Sequence, residues 1–134
     1  MIDKEIDSVL REIKDFPNKG INFKDITSLL LYPKLGSKIL DSLTAKLNST
    51  KLDAIVGVES RGFLFGYSLA MKLQIPFVPA RKGGKLPGLV VQTNYSLEYG
   101  QATLEIHKND IKSGWNILIH DDLLATGGTA VAAS

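Results

Sequence analysis

The chain of 134 residues contains no cysteine, which excludes disulfides, thiolate catalysis and cysteine-ligated metals. Histidine is nearly as scarce, with His107 and His120 as its two examples, and their placement does not suggest a metal pair. Neither sign of charge dominates: 16 Lys and Arg stand against 14 Asp and Glu, a net charge of +2. The basic residues are scattered, not gathered into a stripe, so nucleic acid is not expected as a partner. No apolar run is long enough to cross a bilayer. The N-terminal MIDKEIDSVL alternates charges with aliphatics and lacks the apolar centre of a signal peptide. A cytoplasmic protein without a membrane partner is therefore expected. What is present is ordinary: 44% apolar and 22% charged residues, in a length that suits one domain, 1–134, with a core of its own.

Ile2, Ile6, Val9, Leu10 and Ile13 recur at helical spacing, which predicts a helix over residues 2–14 that ends at Phe16-Pro17. Residues 17–28 carry Pro, Asn and Gly and read as an ordered loop. Leu35, Ile39, Leu43 and Leu47 step by four, predicting a second amphipathic helix over 33–48. The period then changes. Residues 54–58 (AIVGV) form a short apolar run expected to be a buried strand, 59–62 a polar turn, 63–73 a helix, and 75–80 another strand. Strand, helix and strand in this order imply a βαβ unit with a parallel sheet. Residues 81–100 break the pattern with a basic, glycine-rich stretch, read as a long flexible loop. Residues 102–108 alternate like a half-exposed strand, and 116–120 form a further buried one.

The segment 117–129, ILIHDDLLATGGT, carries the most chemistry. A buried strand delivers Asp121 and Asp122 to its C-terminal end, where open α/β sheets bind ligands. Ala125, Thr126, Gly127, Gly128 and Thr129 follow, small enough for backbone N–H groups to close around a phosphate at a helix N-terminus. The adjacent carboxylates suit sugar hydroxyls, so phosphate plus ribose is the chemical reading. The competing reading is a β-turn with a capped helix, Thr126 or Thr129 serving as N-cap. Only residues 130–134 follow the loop, about one and a half turns at ~3.6 residues per turn. A further helix and strand are expected beyond them, so the chain reads as C-terminally incomplete.

This segment resembles the diphosphate-sugar signature of type I phosphoribosyltransferases, in the form found in the adenine phosphoribosyltransferase family. SRGFLFG at 60–66, RKGGKLPG at 81–88 and YSLEYG at 95–100 resemble the same family in the same order, so the likeness covers nearly the whole chain. It implies an α/β fold: a mostly parallel sheet flanked by helices, an N-terminal base-binding hood over 1–30 and a flexible catalytic loop over 81–100. It also implies purine salvage, with adenine and phosphoribosyl diphosphate giving AMP and diphosphate. Mg²⁺ would arrive with the substrate, and a homodimer is expected.

The resemblance further assigns roles. Asp121 and Asp122 would hold the ribose hydroxyls, and the loop from Ala125 to Thr129 the 5-phosphate. Leu123 and Phe23 would pack on the two faces of the base, core packing being the alternative for both. Backbone groups of Asn22 and Lys24 would pair with the amino-substituted edge of adenine, although an aliphatic residue and arginine are commoner there. Ser60 and Arg61 would contact the diphosphate, with a cis peptide just before the serine. Arg81, Lys82 and Lys85 would close over it, Arg61 and Lys85 being counted with Glu98 as catalytic. Hypoxanthine-guanine relatives keep an acidic residue where Ala125 stands, and alanine cannot move a proton. Glu98, in YSLEYG, matches the family's acid/base instead. His120 stands where the family has an aliphatic residue; it either packs in the strand or tunes the acidic pair. His107 is expected on a surface strand.

Residues 57–62, GVESRG, also have the first spacing of a P-loop, but Phe63-Leu64 replaces its Lys and Ser/Thr, so nucleoside triphosphate hydrolysis is rejected. Two alternatives to adenine transfer remain. One is transfer to another base, xanthine or a pyrimidine. The other is a regulator that senses phosphoribosyl diphosphate without catalysis.

Overall fold

A computed structural model describes residues 2–16, 18–21, 23–97 and 100–121. The chain divides into two compact units, Met1–Leu47 and Asn48–Ser134.

The first unit begins with helix α1 (Ile2–Val9), strand β1 (Arg11–Ile13) and strand β2 (Phe23–Asp25). A 3-10 helix (Ile26–Leu31) and helix α2 (Pro33–Lys46) follow. The helix expected over 2–14 therefore stops early, and the loop expected over 17–28 contains a strand. Tertiary hydrogen bonds explain the change. The Ser28 hydroxyl accepts the Arg11 N–H at 3.0 Å and lies 2.9 Å from the Val9 carbonyl, taking the place of continued helical bonding. Arg11–Ile13 then pairs antiparallel with Phe23–Asp25. Asp25 caps the 3-10 helix, accepting from the Thr27 N–H at 2.9 Å. Helix α2 matches its expected span closely, with Pro33 in its first turn, where a missing N–H costs no bond.

The second unit contains strand β3 (Ala54–Val58), helix α3 (Gly62–Leu73), strand β4 (Phe77–Lys82), strand β5 (Val90–Leu97), strand β6 (Gly100–His107) and strand β7 (Ile117–His120). Their five-stranded sheet has the order β5-β6-β4-β3-β7. β3 runs parallel to both β4 and β7, while β4–β6 and β5–β6 are antiparallel. The sheet is mixed, its parallel half centred on β3. Every residue of β3 is buried, as its uninterrupted apolar run requires of a strand covered on both faces. Val56, Val58, Val78, Ala80 and Leu104 form the buried cluster, with Ile106, Ile111, Ile117 and Ile119 packed against it. Residues 90–97, read from sequence as part of a flexible loop, form β5. Val, Thr and Tyr favour a strand, and β6 supplies a partner along its whole length, from Val90↔His107 to Leu97↔Gly100.

Two glycines let α3 lie close to the sheet. A Cβ on Gly57 would stand 2.4 Å from the Phe77 ring. One on Gly62 would stand 2.7 Å from the His120 carbonyl oxygen and 3.4 Å from the Asp121 Cα. The second obstacle is backbone and cannot swing away. Gly62→Ala is therefore expected to destabilise the fold by about 1–3 kcal/mol in urea unfolding. Gly36→Ala, at a helical position where a Cβ meets nothing within 4 Å, is expected to stabilise it by roughly 0.5–1 kcal/mol.

Candidate active site

The parallel strands β3, β4 and β7 end side by side, so the segments that leave their C-terminal ends share one edge of the sheet. The first, residues 59–62, turns directly into α3. Its Glu59-Ser60 peptide is cis, as the resemblance implies. The Glu59 N–H donates to the Ala80 carbonyl at 2.8 Å, tying this turn to the end of β4. Gly62 tucks under the backbone of His120 and Asp121, bringing the third segment alongside the first. Ser60, Arg61, Arg81, Lys82 and Asp121 thus come from distant parts of the sequence to neighbouring strand ends. Lys85 stands just beyond, its N–H donating to the Lys82 carbonyl at 3.2 Å in a turn.

Two carboxylates that the sequence reading did not single out organise this edge. The side chain of Glu59 is 13% exposed. It accepts the Lys82 backbone N–H at 2.6 Å and Arg81 Nη2 at 3.2 Å. Burial alone would raise its pKa. The Lys82 N–H, the Arg81 hydrogen bond and the charges of Arg81 and Lys82 outweigh burial and hold the carboxyl below its ordinary value. Glu105, on β6 opposite Arg81, is 7% exposed and accepts the Gly84 N–H at 2.9 Å. Arg81 Nε is buried and makes no hydrogen bond among the described residues. An unsatisfied buried donor costs about 1–3 kcal/mol. The available signal for Glu59 was its position, an acid directly after a wholly apolar strand.

Glu98, Asn22, Asp122, Leu123, Ala125, Thr126, Gly127, Gly128 and Thr129 lie outside the described residues. Phe23 and Lys24 lie on β2 in the first unit, Lys24 exposed and in register with Glu12. His107 ends β6, as expected of a surface strand residue, with Nε2 2.8 Å from the Pro87 carbonyl and Nδ1 3.4 Å from Asp110. The ring of His120 packs over Gly66 on α3, where an added Cβ would meet its Cδ2 at 3.3 Å. Among the described residues, no group of three or more His, Asp and Glu is gathered for a metal, and no helix is long and apolar enough to cross a membrane.

The lowered pKa of Glu59 links stability to pH. A carboxyl held below its unfolded value stabilises the fold above that value, and the stabilisation is lost as pH falls through the folded value. At pH 7, Glu59→Gln is expected to lose about 1–3 kcal/mol relative to the parent, the scale of hydrogen bonds to a charged group. Urea unfolding over a pH series should show this difference shrinking as the pH drops below 4.5. A difference constant down to pH 3 would contradict the assignment.

Comparison with known proteins places the chain in a family. Residues 30–133 match the phosphoribosyl transferase domain family. An adenine phosphoribosyltransferase of Malacoplasma penetrans is 54% identical over 129 residues, covering 96% of this chain and 75% of the relative. The crystal structure of adenine phosphoribosyltransferase from Thermoanaerobacter pseudethanolicus matches with a TM-score of 0.94 at 48% identity, over 99% of this chain and 77% of the other. That of the Saccharomyces cerevisiae protein, in complex with adenine and D-2,5-dideoxy-2,5-imino-altritol 1,6-bisphosphate, gives 0.92 at 44% identity, over 98% and 77% of the two chains. With its type I fold, its converging strand ends and these likenesses, the chain belongs to the adenine phosphoribosyltransferase family.

Proposed function

We propose that the protein transfers the 5-phosphoribosyl group of phosphoribosyl diphosphate to adenine, releasing AMP and diphosphate, in purine salvage. The observation that carries this reading is the meeting of Ser60, Arg61, Arg81, Lys82 and Asp121 at one sheet edge, in a chain 54% identical to an adenine phosphoribosyltransferase. That identity favours adenine over xanthine or a pyrimidine, and catalysis over ligand sensing alone.

In the reaction, the bond from the anomeric carbon to the diphosphate oxygen breaks as a ring nitrogen of adenine bonds to that carbon. Negative charge grows on the departing diphosphate and positive charge on the ribose ring. Pre-placed donors and cations lower the barrier most when aimed at the charge that develops. Ser60, Arg61, Arg81, Lys82 and Lys85 are assigned to the diphosphate. Asp121 and Asp122 are assigned to the ribose hydroxyls, where their charge also favours the cationic ring. The Ala125, Thr126, Gly127, Gly128 and Thr129 loop takes the 5-phosphate. Asn22, Phe23, Lys24 and Leu123 are assigned to adenine. Glu98 accepts the proton that the base loses, a task Ala125 cannot perform.

Mg²⁺ enters with phosphoribosyl diphosphate as part of the substrate, since this ion keeps several waters and binds through substrate phosphates more readily than in an all-protein cage. A homodimer in the cytoplasm completes the reading, on the strength of the family resemblance.

The test is a steady-state assay of the full-length protein with adenine, hypoxanthine and guanine. AMP should form with adenine alone, and chelation of magnesium should abolish turnover. Equal turnover with hypoxanthine or guanine would overturn the adenine assignment. Glu98→Ala is expected to lower kcat by about 10²–10⁴, the range of general acid–base catalysis; an unchanged kcat would remove Glu98 from the mechanism.

A further inference from the structure

The basic segment 81–85 (RKGGK) poses a problem of order. Lys82 and Lys85 are long, exposed side chains, and two glycines separate them. Such a segment recognises a diphosphate well only if its backbone and cations are held before the ligand arrives, because each group ordered on binding costs affinity.

The described residues contain two devices that hold it. Glu59 binds the end of β4 with both its main chain and its side chain: its N–H donates to Ala80, and its carboxylate accepts from Lys82 N–H and Arg81 Nη2. Glu59 directly precedes Ser60, so one residue joins the turn 59–62 to the segment 81–85. From the neighbouring strand β6, Glu105 pins Gly84, which adopts the left-handed backbone at φ +83°. The two carboxylates grip the segment at its entry and at its turn. As ligands they would be misplaced, because a carboxylate repels a diphosphate. Their oxygens instead accept hydrogen bonds from the segment itself. The grip on Arg81 Nη2 also leaves the buried Nε–H with no hydrogen bond among the described residues.

We propose that Glu59 and Glu105 are positioning residues for diphosphate recognition, Glu59 aiming the Arg81 guanidinium and fixing Lys82, and Glu105 fixing the Gly84 turn. The inference rests on the reading that this edge of the sheet takes the diphosphate of the substrate. It makes a prediction opposite in sign to simple electrostatics. Removing a negative charge beside an anion site should tighten anion binding; removing a positioning carboxylate should weaken it.

The experiment is calorimetric titration of the full-length protein with inorganic diphosphate and magnesium, and separately with AMP, alongside thermal unfolding of each variant. Glu59→Gln is expected to weaken diphosphate binding at least tenfold while AMP affinity changes less than twofold. Glu105→Gln should weaken diphosphate three- to tenfold. Combining Glu59→Gln with Arg81→Ala should cost clearly less than the product of the two single losses, since Glu59 acts in part through Arg81. Unchanged or tighter diphosphate binding, equal loss for both ligands, or losses that multiply would overturn the proposal. Should Glu59→Gln prove unfolded, Glu105→Gln carries the same test. A folded parent that binds neither ligand would overturn the functional reading itself, whereas a parent that binds both with variants unaffected would overturn only the positioning role.

Discussion

The parallel pairing of β3 with β4 on one side and β7 on the other is the constraint on which the second unit depends. It brings three strand ends to the same side of the sheet, and the motifs SRG, RKGGK and DD begin at or just beyond those ends. The pairing demands a central strand without polar side chains, and β3 meets that demand with AIVGV, buried throughout. Gly57 and Gly62 extend the same constraint into α3, where any side chain would strike Phe77 or the β7 backbone. Close approach of helix and strand therefore shapes the site before any charge is considered.

Charge is then managed locally. An anion site needs cations near one another, and cations without partners repel and wander. Here the partners are acids that face the cationic segment: Glu59 toward Arg81 and Lys82, Glu105 toward the Gly84 turn. The downward shift of the Glu59 carboxyl, achieved against burial, is the electrostatic signature of that arrangement. It links folding to function, since the same hydrogen bonds that stabilise the end of β4 orient the groups assigned to the diphosphate.

Much of this unit was legible in the sequence because its signals were local. The apolar run of β3 gave a strand with the observed bounds, and the helix and strands around it fell within a few residues of their expected places. Of the expected site residues, Ser60, Arg61, Arg81, Lys82 and Asp121 stand at or just beyond the ends of three such strands, so their placement also followed from local pattern. Signals that depend on a distant partner were lost. The helical pattern at Ile2, Ile6, Val9, Leu10 and Ile13 gave no warning that Ser28 would intercept the chain at Arg11. The strand at 90–97 was concealed by the glycines before it, and only pairing with β6 makes it regular. Glu105 had no local signal, and the position of Glu59 after an apolar strand did not reveal its partners, which lie more than 20 residues away.

The converging strand ends are assigned to phosphoribosyl diphosphate. The most direct measurement is a crystal structure of the full-length protein with that substrate and magnesium. Diphosphate oxygens are expected between the 59–62 turn and the Arg81 guanidinium, with the ribose hydroxyls on Asp121 and Asp122. A diphosphate bound away from β3 and β4, or a ribose that avoids the two aspartates, would contradict it.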